Sequence, residues 1–492
     1  MNYTNHKLKT LAFHSRVQLV ALAGIIVLAA TLRFYRLGDW SFWLDEIRTI
    51  NRAAIHVNWE TIISEWWHPS LSLILINSAL ETLGVSEWSA RLVPALIGII
   101  SIPIVYFPIK RLFGSTVALI AVLLLAVSPW HLEWSQTARF YTSLMLLYFL
   151  ASYVFFLALE RDQPAYLLIA LLLFVLAIGE RFLAVFLVPV ALSYLFLITV
   201  LPYEKPSGLN KRNITLILVP GVIFGFIDLA RYVMTGSSYL LSSIELAVSA
   251  PIDDPLRIVI LVVYNMGVPL FCLALFGGYS LLLQRNRGGL YFTIGAVVPL
   301  LLLAALNPFI FTVNRYVFMT LPCWIILAAS AVRQIFHLMP RPGKTLAVAV
   351  LALLVADALG AHLMYYQINH GNRPEFRAAF TYVASRKDAD DVVVSAVPEI
   401  GTYYLGDTVL PLAAIEPAAI QSGDARYWFV IDSENGWWAS RQKRWVEENG
   451  TLLEVMFLRV RENIHLRIYL YDPGAQSVNR DGRVSVNDNP HH

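Results

Sequence analysis

The adjacent carboxylates Asp45 and Glu46 lie in Trp43-Leu44-Asp45-Glu46, shortly after a long apolar run and beside Trp40, Phe42 and Trp43. Burying carboxylates beside apolar surface costs several kcal/mol unless they are paired or used. As chemistry, one of the two could accept a proton from an attacking hydroxyl. As structure, both could pair with Arg48 and Arg52 on one helix. A second cluster runs from Ser128 through His131, Glu133, Thr137 and Arg139 to Tyr141. Arg139 stands where a helix begins, so backbone N–H groups and a guanidinium could share one anion. Equally, Arg139 could bind Glu133 or lipid headgroups. Further polar groups are His68-Pro69, Glu180-Arg181, and Asp228 with Arg231 one turn later. Asp228 and Arg231 could simply neutralise one another, and Asp357 is open to either reading.

The elements that must position these groups are membrane helices. Of 492 residues, 57% are apolar or aromatic and 14% are charged, and the mean hydropathy is +0.60. A soluble globular domain carries roughly 25% charge, so a water-soluble enzyme, a disordered chain and a disulfide scaffold are all excluded. A net charge of +3 leaves no basic face of the size that nucleic acid requires. Cys272 and Cys323 fall in apolar runs, where a thiol behaves as a small hydrophobe and is expected in the core. The polar start with Lys7, Lys9 and Arg16, followed by an apolar run without a small-residue cleavage site, predicts a retained first span.

About 11 runs approach the roughly 20 apolar residues that a span needs, beginning near Val17, Arg91, Gly114, Thr137, Pro164, Phe182, Asn213, Leu256, Leu290, Tyr316 and Thr345. Pro69–Leu83, about 15 residues long and polar at Ser70, Ser72, Asn77, Ser78 and Glu81, suits an interfacial or re-entrant helix better than a span. If it does not cross, Lys7, Lys9, Lys110, Lys205, Lys211 and Lys344 all face the cytoplasm, as the positive-inside bias prefers. That topology puts the N-terminus inside and a long first loop, residues 34–90, outside. The outer loops then hold arginine but no lysine: Arg36, Arg48, Arg52, Arg139 and Arg315, with Arg181, Arg231 and Arg257 at helix ends. Such an excess suggests a ligand with bidentate oxyanions such as phosphate, although snorkelling or pairing with acids explains any single arginine as well.

After residue 364 the composition becomes that of a soluble domain. Arg373–Arg386 and Trp438–Asn449 are predicted helices. Asp391–Val397, Tyr427–Asp432, Thr451–Val460 and Ile464–Tyr471 are predicted strands. Residues 365–472 are thus expected to form a small extracytoplasmic α/β domain, and 473–492 a disordered tail. Residues 1–364 are expected to form the membrane domain.

Taken in order, Arg33-Phe34-Tyr35-Arg36-Leu37-Gly38, Trp43-Leu44-Asp45-Glu46, His68-Pro69-Ser70-Leu71, Leu83 to Pro94, Arg111-Leu112-Phe113-Gly114 and Ser135 to Tyr141 resemble the GT-C glycosyltransferases. The resemblance is to the protein O-mannosyltransferase and aminoarabinose-transferase branch, and extends to Asn314-Arg315-Tyr316-Val317. It implies a polytopic α-helical membrane enzyme of GT-C fold in the cell membrane, with its active site outside. The implied donor is a polyprenyl-phosphate-linked sugar, and the acceptor a lipid, glycan or protein hydroxyl. By that likeness Asp45 takes the place of the general base, with Glu46 as its neighbour. Arg139 matches the arginine of the second outer loop and, with Arg315, His68 and Arg91, would hold the donor phosphate. Glu133, Glu180, Arg181, Asp228 and Tyr141 are candidates for acceptor contacts or support. A base and a leaving group on opposite faces of the sugar imply inversion. No cofactor and no metal are expected, although Glu133 could complete a divalent-metal site. The competing reading is a transporter or flippase for a lipid-linked or anionic substrate, which predicts paired half-sequences with broken helices.

Overall fold

The first helix, Asn2–Phe34, shows how the membrane part is tied together. Its C-terminal carbonyls have no partners within the helix, and side chains from distant segments supply them. The Gln136 amide donates to the carbonyls of Arg33 and Tyr35 at 3.0 and 2.8 Å, and Arg91 donates to that of Leu37 at 3.2 Å. Fully buried Arg33 crosses to the neighbouring helix Ser115–Val127, donating to Ala126 O at 3.0 Å.

The computed structural model describes residues 2–55, 70–217, 219, 255–309, 312–338, 342–433, 439–457 and 465–474. Seven helical segments there are long and apolar enough to cross a membrane, or nine if each of two bent pairs counts as one span. The chain is therefore a multi-pass membrane protein, but the expected count of about 11 spans is not reached among the described residues. Pro164–Glu180 is a helix of only 17 residues, and the run from Asn213 passes into residues outside the described set. Leu71–Leu83 is a 13-residue helix, whose length at 1.5 Å per residue falls short of a hydrocarbon core about 30 Å thick.

Both bends have local causes. Ser115–Val127 ends where Ser128 N–H donates to Leu125 O at 3.4 Å. The Ser128 hydroxyl accepts from His131 N–H at 3.3 Å and so caps a new helix, Pro129–Ser135, at 58° to the first. The second bend, of 101°, joins Pro255–Met266 to Val268–Leu283 through Gly267, whose φ of +87° is open to glycine at little cost. Many large apolar side chains of the bundle, among them Leu168, Leu172, Phe196 and Ile260, are exposed, as a lipid-facing surface requires. Cys323 is buried as expected, whereas Cys272 is exposed, because an apolar run in a membrane helix has a lipid side as well as a core side.

The chain divides into two compact units. The first comprises Met1–Leu37, Ala53–Val85 and Ser89–His362. The second comprises Leu363–His492 together with two pieces from the start of the chain, Gly38–Arg52 and Ser86–Trp88.

In the second unit a five-stranded sheet has the order β2-β1-β3-β5-β4, with β1 Val392–Ser395, β2 Leu410–Pro411, β3 Tyr427–Asp432, β4 Thr451–Phe457 and β5 His465–Tyr471. β1 runs parallel to β2 and β3, and β5 runs antiparallel to β3 and β4. The continuous apolar run of β3 fits a central strand buried on both faces. Val394, Phe429, Ile431, Val446 and Tyr469 belong to one core cluster. The two predicted helices are present as Phe376–Ala384 and Ser440–Asn449. Most of the tail expected to be disordered, residues 475–492, lies outside the described residues. Beside β1, Asp391 accepts from Trp428 Nε1 and from Arg426, each at 2.7 Å. Burial pushes its carboxyl up, but these donors outweigh burial and hold it below the usual carboxylate range.

Gly371 has φ +65°, and a Cβ there would run into the ring of Trp40, which is buried. Gly371→Ala is expected to cost about 1–3 kcal/mol, since both the backbone region and the space are denied to alanine. Thermal unfolding indistinguishable from wild type would contradict this.

Candidate active site

The helix Leu44–Ile55 carries Asp45 and Glu46 in its first turn, where the helix dipole favours negative charge. Its two acids have different surroundings. Asp45 is partly exposed, while Glu46 is fully buried and faces Arg373, with Nε to Oε2 at 3.6 Å. Sequence spacing suggested Arg48 and Arg52 as partners for both acids. Glu46 faces Arg373, from beyond the last span, and Arg48 lies 4.0 Å from Glu399 in an exposed pair. No local spacing signals the Glu46–Arg373 pair, because it joins segments far apart in the chain.

The segment leading into this helix is held by the same unit. Ser41 donates to Pro374 O at 2.6 Å, and Phe42 N–H donates to the Tyr404 hydroxyl at 2.7 Å. Tyr404 in turn donates to Glu87 at 2.8 Å, and Arg377 binds the same Glu87 oxygen at 2.5 Å. Burial pushes the Tyr404 hydroxyl up, so it stays protonated and able to donate. Trp40 meets Tyr365 and His370 edge-on, and Phe42 meets Tyr403 in the same way. Asp45 is thus presented on a helix whose approach is fixed by bonds at Ser41 and Phe42 and by packed aromatic rings.

The arginines belong to the first unit. Arg139 precedes the helix Tyr141–Arg161, and its guanidinium carbon lies 4.9 Å from the centroid of Phe140. Arg181 follows Pro164–Glu180 and approaches the same ring at 5.5 Å. Arg315, partly buried, lies in the 3-10 turn Asn314–Thr320, which packs on Tyr141–Arg161 and on Phe182–Phe186. Three arginines therefore stand on or beside mutually packed elements. Tyr141 is buried against Trp134, with centroids 4.1 Å apart, and Glu133 is partly buried in Pro129–Ser135.

Two candidates have structural surroundings. Arg91 is fully buried, where it donates to Leu37 O and braces the end of the first helix. Glu180 is buried and accepts from Ser70 Oγ and Ser72 Oγ at 2.5 Å each and from Ser72 N–H at 2.9 Å. It thereby anchors the N-terminal turn of Leu71–Leu83, which Ser70 also caps through Leu73 N–H. Glu180→Gln is expected to lose about 1.5–3 kcal/mol of charge-assisted bonding. Hydrogen exchange at Ser72 and Leu73 should speed up, and unchanged protection there would refute the anchor.

His68, Asp228 and Arg231 lie outside the described residues. Among the described residues no three His, Cys, Asp or Glu side chains are grouped as a metal site would need. A pair that sequence reading did not select is Arg33 with His131, where Nη2 meets Nδ1 at 2.5 Å. The available signal was a charge at the end of an apolar run.

Residues 67–224 match the family model described as dolichyl-phosphate-mannose-protein mannosyltransferase. Comparison with curated proteins gives no significant sequence match. The crystal structure of ArnT from Cupriavidus metallidurans bound to undecaprenyl phosphate is similar with a TM-score of 0.58 at 14% identity, covering 91% of this chain and 97% of that one. The apo oligosaccharyltransferase of Archaeoglobus fulgidus is similar with a TM-score of 0.54 at 13% identity, covering 89% of this chain and 73% of that one. Over most of its length the chain thus shares the fold of these two solved structures, and the match to the mannosyltransferase family model is confined to residues 67–224.

Proposed function

We propose that the protein transfers a sugar from a polyprenyl-phosphate donor to an acceptor hydroxyl on the extracytoplasmic side of the cell membrane, with inversion at the anomeric carbon. The observation that carries this reading is that Arg139, inside the segment matched by the mannosyltransferase family model, precedes the helix Tyr141–Arg161 on which the turn Asn314–Thr320 with Arg315 packs. A lipid phosphate suits these two arginines because guanidinium groups bind phosphate oxygens in a bidentate fork. Undecaprenyl phosphate bound to the similar ArnT supports the same class of donor.

Asp45 accepts the proton of the acceptor hydroxyl as that oxygen attacks the anomeric carbon. Arg139 and Arg315 hold the phosphate and stabilise the charge that develops on its oxygen as the sugar departs. Glu46 serves by fixing the helix that presents Asp45, through its pair with Arg373. The lysine distribution supports a cytoplasmic N-terminus and an outer first loop.

Purified protein incubated with labelled polyprenyl-phosphate sugars tests the reading. Release of label from the lipid to an acceptor is the expected result. Movement of the intact labelled lipid between leaflets, without cleavage, would favour a flippase instead.

A further inference from the structure

Asp357 stands in the last membrane helix, Pro342–Leu363, about 22 Å along it from Pro342 at 1.5 Å per residue. The apolar stretch continues to Ile368, so this carboxylate lies well inside a hydrocarbon core about 30 Å thick. One of its oxygens lies beside Gly267, 2.6 Å from where a Cβ on that glycine would stand, at the 101° break between Pro255–Met266 and Val268–Leu283. It does not cap the broken helix, since the N-terminus of Val268–Leu283 receives no side-chain hydrogen bond. Among the described residues no hydrogen bond and no ion pair reaches Asp357, and the residue is exposed. An aspartate is too short to lift its charge to the interface as lysine or arginine does. Ionisable groups at such depth are costly and are ordinarily met by a partner.

The same helix leaves room for that partner. Ala349, Ala352, Ala356 and Gly360 are spaced three or four residues apart, so they share one side, and all four are exposed. A Cβ on Gly360 would meet nothing within 4 Å. Only 22% of the span's apolar stretch is buried, and Asp357 adjoins its open side. Small residues let two helix backbones approach closely in lipid, and a polar group among them joins the pair.

We propose that this face of the last span docks a membrane-spanning helix of another protein, one that carries a lysine or arginine at the depth of Asp357. Charge selects the occupant. A polyprenyl chain has no cation to offer, and a two-fold contact between copies of this chain through the same face would bring two carboxylates together. A partner cation donates to Asp357, while the alanines and Gly360 set the closeness of the contact. The inference is independent of the reaction that the protein performs.

The test uses the full-length protein in proteoliposomes with two synthetic leucine–alanine helices of about 20 residues, one with a central lysine and one with leucine in its place. Energy transfer between labelled protein and labelled helix reads the association. The lysine helix is expected to bind wild type about tenfold more tightly than the leucine helix, the size of one good interhelical polar contact. Asp357→Asn should reduce that preference below about threefold. Ala356→Leu combined with Gly360→Leu, which keeps the carboxylate but fills the face, should weaken the lysine helix about tenfold. Equal binding of both helices to wild type, or a preference that persists in Asp357→Asn, would overturn the proposal. Association of two differently labelled copies of the protein without any added helix, abolished by Ala356→Leu with Gly360→Leu, would overturn it in favour of a second copy.

Discussion

Asp45→Asn is expected to reduce sugar transfer about 10²- to 10⁴-fold, the usual contribution of a general base, while leaving the folded protein intact. Asparagine has nearly the shape of aspartate but cannot take up the acceptor proton. Because Asp45 is partly exposed and its neighbours Leu44, Glu46 and Ile47 supply the buried face of the helix, the exchange disturbs little packing. Turnover of labelled donor, compared at equal amounts of membrane-inserted protein, measures the effect. Near-normal turnover would remove Asp45 from the role of base.

The second large effect falls on stability. Glu46 and Arg373 are both buried, so removing either one leaves the other charge away from water without its oppositely charged neighbour. Glu46→Ala or Arg373→Ala alone is expected to cost about 3–5 kcal/mol, and the double change to Glu46→Leu with Arg373→Met much less. Combining Glu46→Ala with Arg373→Ala completes a cycle whose departure from the summed single effects isolates the pair. Single variants that unfold like the wild type would show that the ion pair contributes nothing.

Adjacent acids are thereby separated by mechanism. Loss of activity in Asp45→Asn should occur in a folded protein, whereas loss in Glu46→Ala should follow unfolding. Measuring turnover together with thermal unfolding on the same preparations distinguishes them.

Much of the architecture was legible in the sequence because its signals are local. Apolar run lengths marked most of the membrane helices, and Tyr427–Asp432 was recognisable as a strand from its unbroken apolar run. The short length of Leu71–Leu83 was also visible. One span was less so, since Gly267 bends the chain within the apolar run that begins near Leu256. Two helices of the second unit, Pro398–Leu405 and Pro417–Ser422, and the two-residue strand Leu410–Pro411 are too short for their periodicity to stand out.

Residue types and spacing by themselves determined that this is a polytopic membrane protein with an acidic pair and several arginines available for chemistry, because hydrophobic length and charge are properties of contiguous chain. Only the tertiary structure decided which acid is buried and which is presented, that Arg373 pairs with Glu46, that Arg91 braces a helix end, and that Arg139 and Arg181 share Phe140. Each of those facts depends on contacts between segments far apart in sequence, and the energy of a buried charge is set by the partner that folding brings to it.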